Sequence, residues 1–253
     1  MASKCVVVPF YNNRDTVCGV ITSLYNEGYN VIAVADGPTD GSLELVEELE
    51  AVLTYKEDFT LVALNGNRGK GRAIVEGMRK ATEFGYRSAL TFDADGQHTL
   101  QGAKAIFSAA ENYNVENVLL VGSRACRGAD KGGRFANNFS NFWLKVQTGR
   151  SLPDTQSGCR LYPVLEIADS KWIGSRYEFE TEALVRLLWR GIEPVVVPID
   201  VLYTEERITH FRPLKDFFRI SLMNTLLTFG AIFYGYPAML IRRLAKGKRS
   251  IKR

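Results

Sequence analysis

The chain predicts an α/β protein with a mostly parallel central sheet flanked by helices. Two observations carry this. Short apolar runs alternate with stretches of helical periodicity through the first half of the chain, the pattern of strand–helix–strand units joined by right-handed crossovers. The runs are apolar throughout rather than every second residue, as strands covered on both faces are.

The elements follow in order. Residues 5–8 are the first strand, ended by Pro9. Residues 15–28 have helical spacing, with Asp15 available as a cap and Gly28 as a stop. Residues 31–35 are the second strand, closed by the turn 36–41, and 42–53 repeat Leu, Val and Glu at helical intervals. Residues 60–64 are the third strand, and the glycine-rich segment 65–71 opens a helix to about 84. A fourth strand runs through 88–92 into 93–98. A helix spans 100–113 and a fifth strand 117–122. Beyond a stretch of arginines and glycines come a helix at 137–147 and a loop, 154–162, that enters a strand. Residues 176–182 then lead into a helix at 183–189. The last strand, 195–199, contains Pro198, which argues for a sheet edge. No linker interrupts the chain before residue 200.

Composition excludes several classes. The 253 residues are 46% hydrophobic and 24% charged, ordinary for a globular protein with a sizeable core. The four cysteines have no metal spacing, and two histidines do not complete a zinc site. Reduced thiols in a cytosolic setting are expected, with no secretory signal. The net charge of +4 is uneven: residues 217–253 carry eight Lys or Arg and no Asp or Glu, so 1–216 stand at −4. A mildly acidic body with a basic, apolar tail points to a membrane surface and away from nucleic acid.

The chemistry centres on Asp93-Ala94-Asp95-Gly96-Gln97-His98. On a strand, positions i and i+2 face the same side, so Asp93 and Asp95 present two carboxylates together. They stand at a carboxyl strand end, where open sheets bind ligands. Such a pair repels itself unless a cation sits between. Mg²⁺ and Mn²⁺ share one or two carboxylates with substrate phosphates, and Gln97 can add an amide oxygen. An acidic turn capping the next helix is the alternative. The loop Gly66-Asn67-Arg68-Gly69-Lys70-Gly71 lacks the spacing of a P-loop, but its N–H groups or Lys70 can meet an anion.

Five motifs occur in order: Val7-Val8-Pro9-Phe10-Tyr11-Asn12, Asp36-Gly37-Pro38-Thr39-Asp40-Gly41, Asn67-Arg68-Gly69-Lys70-Gly71, Asp93-Ala94-Asp95-Gly96-Gln97-His98 and Ser157-Gly158-Cys159-Arg160. Together they resemble family 2 of the glycosyltransferases, particularly the dolichyl-phosphate mannose synthase and polyprenyl-phosphate glycosyltransferase branch, over about 1–215. Ala35 departs from it, because the family commonly has an acidic residue there. The resemblance implies a GT-A (nucleotide-diphospho-sugar transferase) fold, a GDP- or UDP-hexose donor, Mg²⁺ or Mn²⁺, inversion at the anomeric carbon and a lipid acceptor, most of all polyprenyl phosphate. It implies that Pro9 and Tyr11 line the base pocket, that Asp36 hydrogen-bonds the base, and that Asp93, Asp95 and Gln97 hold the metal, with Ala94 in the same substrate-binding stretch. Arg124 and Arg134 look like the arginines that meet the diphosphate or the acceptor phosphate. For a hydroxyl acceptor, Glu182, and second to it Glu180, is the base candidate, with Asp154 another. Arg207, His210 and Arg212 resemble a late basic loop that closes over the phosphates.

Residues 220–241 carry no charge. That is near the length of a bilayer span, yet Gly230, Gly235 and Pro237 interrupt it. Two short amphipathic helices lying in the interface are expected, anchored by Phe229, Phe233, Tyr234 and Tyr236, with the basic end on anionic headgroups. The chain thus divides into a catalytic domain, 1–215, and a membrane-associating segment, 216–253, peripheral or monotopic on a cytoplasmic face. A single span, or helices packed on the body or on a dimer partner, are the alternatives. A nucleotidyltransferase, which would carry a glycine-rich first loop, and a non-catalytic module binding nucleotide sugar or lipid are the competing functions.

Overall fold

The computed structural model describes residues 4–124, 131–202 and 213–250. It contains one seven-stranded sheet: β1 (Cys5–Phe10), β2 (Asn30–Ala35), β3 (Phe59–Ala63), β4 (Ser88–Thr91), β5 (Val118–Arg124), β6 (Arg160–Pro163) and β7 (Glu193–Ile199). The strands lie in the order β3-β2-β1-β4-β6-β5-β7. Helices α1 (Val17–Asn26), α2 (Ser42–Val52), α3 (Lys70–Glu83) and α4 (Leu100–Ala110) join the first five strands. The helix expected at 137–147 is longer, α5 (Lys131–Thr148), and is followed by a short α6 (Val164–Ala168) and by α7 (Glu178–Trp189).

Both faces of the sheet are covered, which is why its strands read as unbroken apolar runs. Along β1, Cys5 and Val7 join one core with α3 and α7 residues. Val6, Val8 and Phe10 join the other with α1 and α4 residues. Pro9 is tolerated in a central strand because of where pairing stops. The last β1–β4 pair is Val7 with Thr91, so β1 has run past its neighbour when it reaches Pro9. Pro198 sits on edge strand β7, as its missing donor requires.

One strand sets the site. β6 runs antiparallel to β4 and β5, while the other pairs are parallel. Its first residue, Arg160, lies opposite Thr91, the last residue of β4. The loop before β6 is thereby delivered to the carboxyl ends of β4 and β5, beside the acidic pair.

The tail differs from the two separate helices expected. α8 (Pro213–Gly230) continues through a wider π-type turn, Ala231–Gly235, into α9 (Tyr236–Ser250) without a break. The residues taken as interruptions are the contact points. The run lies across Trp189 at the end of α7, where a Cβ added at Gly230 or Gly235 would meet its indole. Pro237 follows directly on the widened turn, where the regular i−4 bonding is already interrupted. Met223, Leu227 and Ala231 are buried against the body. Asn224 accepts from the amide of buried Gln147 at 3.1 Å, and the hydroxyl of Tyr236 donates to the Val146 carbonyl at 2.6 Å.

A Cβ at Gly235 would lie 2.5 Å from Trp189 Nε1 and Cε2. Overpacking costs ~1–3 kcal/mol, more than the ~0.5–1 kcal/mol that alanine gains over glycine in a helix. Gly235→Ala is therefore expected to lower stability by about 1 kcal/mol, read as a lower urea unfolding midpoint at unchanged m. An unchanged or raised midpoint would show that this contact does not hold the tail.

Candidate functional site

At the carboxyl edge of the sheet, three loops are tied to one another. The loop after β1 meets the loop after β2: Arg14 N–H donates to Asp40 at 3.0 Å and Thr39 N–H to Asn12 at 2.7 Å. Asp36, at the end of β2, accepts from the N–H groups of Arg68 and Gly69 at 2.6 and 2.7 Å. Both of its oxygens thus anchor the glycine loop that opens α3. Burial raises its pKa, and these two donors act against that rise. Asp36 is buried, so the base contact expected of it competes with this anchoring role. Pro9 is buried in β1, and Tyr11 is half-buried just beyond it.

The anchored loop aims Lys70, the first residue of α3, at the acidic turn. Its Nζ lies 2.8 Å from Asp93 Oδ1 and 3.0 Å from Glu180 Oε1, and these side chains are at most 22% exposed. Burial opposes the ammonium, but the charges of Asp93 and Glu180 outweigh it and hold Lys70 above the ordinary lysine value. Asp93 is likewise opposed by burial and held well below the usual carboxylate range, chiefly by Lys70. Asp95 goes the other way, raised by burial and then by the charge of Asp93. It also accepts from Gln97 N–H at 3.0 Å. His98 Nε2 stands 3.7 Å from Asp93 Oδ2, and its ring packs edge-on to Phe92. A Cβ on Gly158 would come within 2.5 Å of Asp93 Oδ2 and 2.9 Å of Lys70 Nζ, so only glycine lets the loop before β6 approach this pair.

Arg160 holds that loop. Its guanidinium is fully buried and donates to the carbonyls of Ser157, Thr155 and Glu180, each at 2.8 Å, and to the Tyr162 hydroxyl at 3.2 Å. Thr91, at the end of β4, donates to the Gly158 carbonyl at 2.6 Å.

The structure therefore brings Lys70, Asp93 and Asp95 together, with half-buried Gln97 on the same turn. Ala94 is on that turn too, but its side chain is buried in the core and its carbonyl accepts from Thr16 at 2.6 Å, so only its backbone faces the turn. Glu182 is not brought there. It is fully buried and accepts from Ile173 and Gly174 N–H at 3.0 and 2.7 Å and from Arg186 at 2.6 Å. The cause is where the helix begins. The sequence reading starts it at 183, whereas α7 starts at Glu178. Residues 180 and 182 then differ by ~200° around its axis and face opposite ways. Asp154 and Arg124 meet each other instead of separate ligands. Arg124 Nε and Nη2 donate to Asp154 at 2.7 and 3.0 Å, and the carboxylate, despite burial, is held below its usual range by that arginine. A carboxylate held so makes a weak base. Arg134 falls on the first turn of α5, while Arg207, His210 and Arg212 lie outside the described residues. Sequence reasoning ranked Glu180 second and gave His98 and Gly158 no role of their own. The helix phase would have exposed Glu180 had the start of α7 been recognised.

The acidic turn presents oxygen donors to a divalent cation. Among the described residues no group of three or more His, Cys, Asp or Glu side chains is placed to hold a metal ion. Asp93 and Asp95 do supply hard oxygens on one turn, and two carboxylates so placed repel each other unless a cation sits between them. Such a set suits Mg²⁺ or Mn²⁺ that completes its shell with phosphate and water.

The chain is similar to several known proteins. Residues 5–164 match the model of glycosyl transferase family 2. The chain is 29% identical to the UDP-N-acetylglucosamine–dolichyl-phosphate N-acetylglucosaminyltransferase of Methanococcus voltae, covering 92% of this chain and 99% of that one. It is 26% identical to the glycosyltransferase AglJ of Haloferax volcanii, over 92% of this chain and 77% of that one. Among solved structures, glucosyl-3-phosphoglycerate synthase of Mycobacterium tuberculosis, in complex with Mn²⁺, UDP and phosphoglyceric acid, superposes with a TM-score of 0.64 at 17% identity. That match covers 90% of this chain and 78% of the other.

The Arg124–Asp154 pair makes stability depend on pH. Because Asp154 is depressed when folded, its contribution is full above the unfolded carboxylate value, ~3.9, and is lost as pH falls towards the native value. Arg124→Met leaves a buried carboxylate unpaired and is expected to cost about 3 kcal/mol at neutral pH. Urea denaturation of both proteins should show this gap closing below about pH 4; a gap constant with pH would contradict the assignment.

Proposed function

The chain belongs to glycosyl transferase family 2, with the GT-A fold, and from that premise we propose a metal-dependent, inverting transfer of a hexose from a nucleoside-diphosphate donor to a polyprenyl-phosphate-type lipid. The observation that carries the proposal is the Lys70–Asp93–Asp95 cluster at the carboxyl edge of the sheet. Asp93, Asp95 and Gln97 would hold Mg²⁺ or Mn²⁺. Held there, the ion would supply positive charge to offset the negative charge developing on the leaving nucleoside diphosphate. Lys70 adds a positive charge beside it, and Pro9 and Tyr11 flank the base. Arg134 and the basic residues Arg207, His210 and Arg212 serve the phosphates, whereas Arg124 is committed to Asp154. Residues 1–215 form the catalytic unit and 216–253 the membrane-associating one.

The state of the carboxylates supports a phosphate acceptor. Glu182 is held by two N–H groups and Arg186, Asp154 by Arg124, and Glu180 by Lys70. A hydroxyl acceptor needs a carboxylate able to take its proton, whereas a phosphate arrives already ionised. The name of the Methanococcus voltae relative, with UDP-N-acetylglucosamine and dolichyl phosphate, supports the same choice.

The outer face of the C-terminal run supports a lipid surface. Leu222, Leu226, Phe229, Phe233, Leu240 and Leu244 are exposed on it. The helical stretch Leu214–Ala245 also has the length and composition of a span. Its inner stripe is committed to the body through Met223, Asn224 and Leu227, so we place it lying in the interface, as a monotopic anchor on a cytoplasmic face.

Transfer of radiolabel from UDP-N-acetylglucosamine to polyprenyl phosphate in Mg²⁺ is expected, and Asp95→Asn should reduce it by about a thousandfold. Turnover retained by that variant would remove the metal role. Phe229→Ser with Phe233→Ser should weaken sedimentation with anionic vesicles by roughly tenfold or more; equal sedimentation would rule out this face as the lipid contact.

A further inference from the structure

The ammonium of Lys70 lies against Asp93, one of the two carboxylates assigned to the metal, and within reach of a second carboxylate, Glu180, that the metal does not need. We propose that Lys70 is a resident counter-cation: it occupies Asp93 in the free protein and is exchanged for the divalent ion, with Glu180 as the berth that receives it. This rests on the metal reading above.

Several features make the exchange workable. The two contacts are of nearly equal length, 2.8 Å to Asp93 and 3.0 Å to Glu180, so the ammonium is shared between them. The root of Lys70 is fixed, because Asp36 pins Arg68 and Gly69, while its four-carbon stem keeps the head movable. Glu180 is itself fixed through its carbonyl, which accepts from Arg160 at 2.8 Å. The charges also fit. Asp93, Asp95 and Glu180 bring three negative charges against the Lys70 ammonium and the Arg160 guanidinium near Glu180, so the acidic turn keeps an excess of negative charge that a cation meets. Beside them, His98, with a side chain 6% exposed, brings Nε2 to 3.7 Å from Asp93 Oδ2, while its Nδ1 has no partner among the described residues.

The consequence is that metal binds weakly alone and well with the donor. Without a diphosphate, the ion must displace the ammonium from Asp93. With one, the released ammonium sits beside the phosphate oxygens, and its displacement is no longer opposed.

The test counts free Mn²⁺ by electron paramagnetic resonance on the full chain, first alone and then with UDP or GDP. Lys70→Met should bind Mn²⁺ about tenfold more tightly than wild type without nucleotide and gain less from added nucleotide, because the competing charge is gone. Glu180→Gln should bind more weakly than wild type. A misfolded variant loses affinity, so tighter binding by Lys70→Met cannot arise that way. In crystals grown with Mn²⁺ and nucleotide, Nζ should leave Asp93 and remain within hydrogen-bond distance of Glu180. Affinity unchanged in Lys70→Met, or Nζ still on Asp93 beside the bound ion, overturns the exchange and leaves the metal reading intact. No Mn²⁺ bound by any variant, with or without nucleotide, overturns both.

Discussion

A buried guanidinium holds the carboxyl edge of the sheet together. Arg160 has no carboxylate within ion-pair distance among the described residues. It is held by three main-chain carbonyls and a phenol instead. Burying a charge is costly unless its donors are satisfied, so the segments that supply those carbonyls cannot move apart cheaply. They are the loop before β6 and the first turns of α7. Gly158 and Glu180 belong to these segments, and the placing of Lys70 depends on both. The ion-pair geometry around Asp93 is therefore a consequence of how one arginine is solvated by protein.

The same logic runs outward from the sheet. β6 runs against its neighbours, so its start lies at their carboxyl ends, and a loop far along the chain meets Asp93 directly. Asp36 does for the glycine loop what Arg160 does for the loop before β6. Residues from β2, α3, β4, the loop before β6 and α7 converge through main-chain contacts, and the charged side chains are fixed last. An edge so constrained is suited to electrostatic work, in which groups must be in place before charge develops.

Much of the fold was legible in the sequence because apolar runs and helical periodicity are local. The strands of the first half, the turn after β4 and the edge position of Pro198 all follow from neighbours in the chain. What was not legible depends on phase or on distance. Glu180 and Glu182 are two residues apart, and only the true start of α7 decides which meets Lys70. The pairing of Arg124 with Asp154 joins positions thirty residues apart, and each alone looks like a free functional group. Gly230 and Gly235 read as breaks because glycine weakens helices, yet here it admits Trp189.

Helix α7 touches both ends of the molecule's business. Near its start Glu180 meets Lys70, and at its end Trp189 is gripped by the C-terminal run, with Arg242 donating to the Trp189 carbonyl. Nine residues separate the two contacts, about 14 Å along the axis at 1.5 Å per residue. One residue added or removed between them would swing one contact by ~100° relative to the other. This stretch behaves as a keyed shaft: side chains along it can drift, but its length and angular setting are locked by what sits on either end.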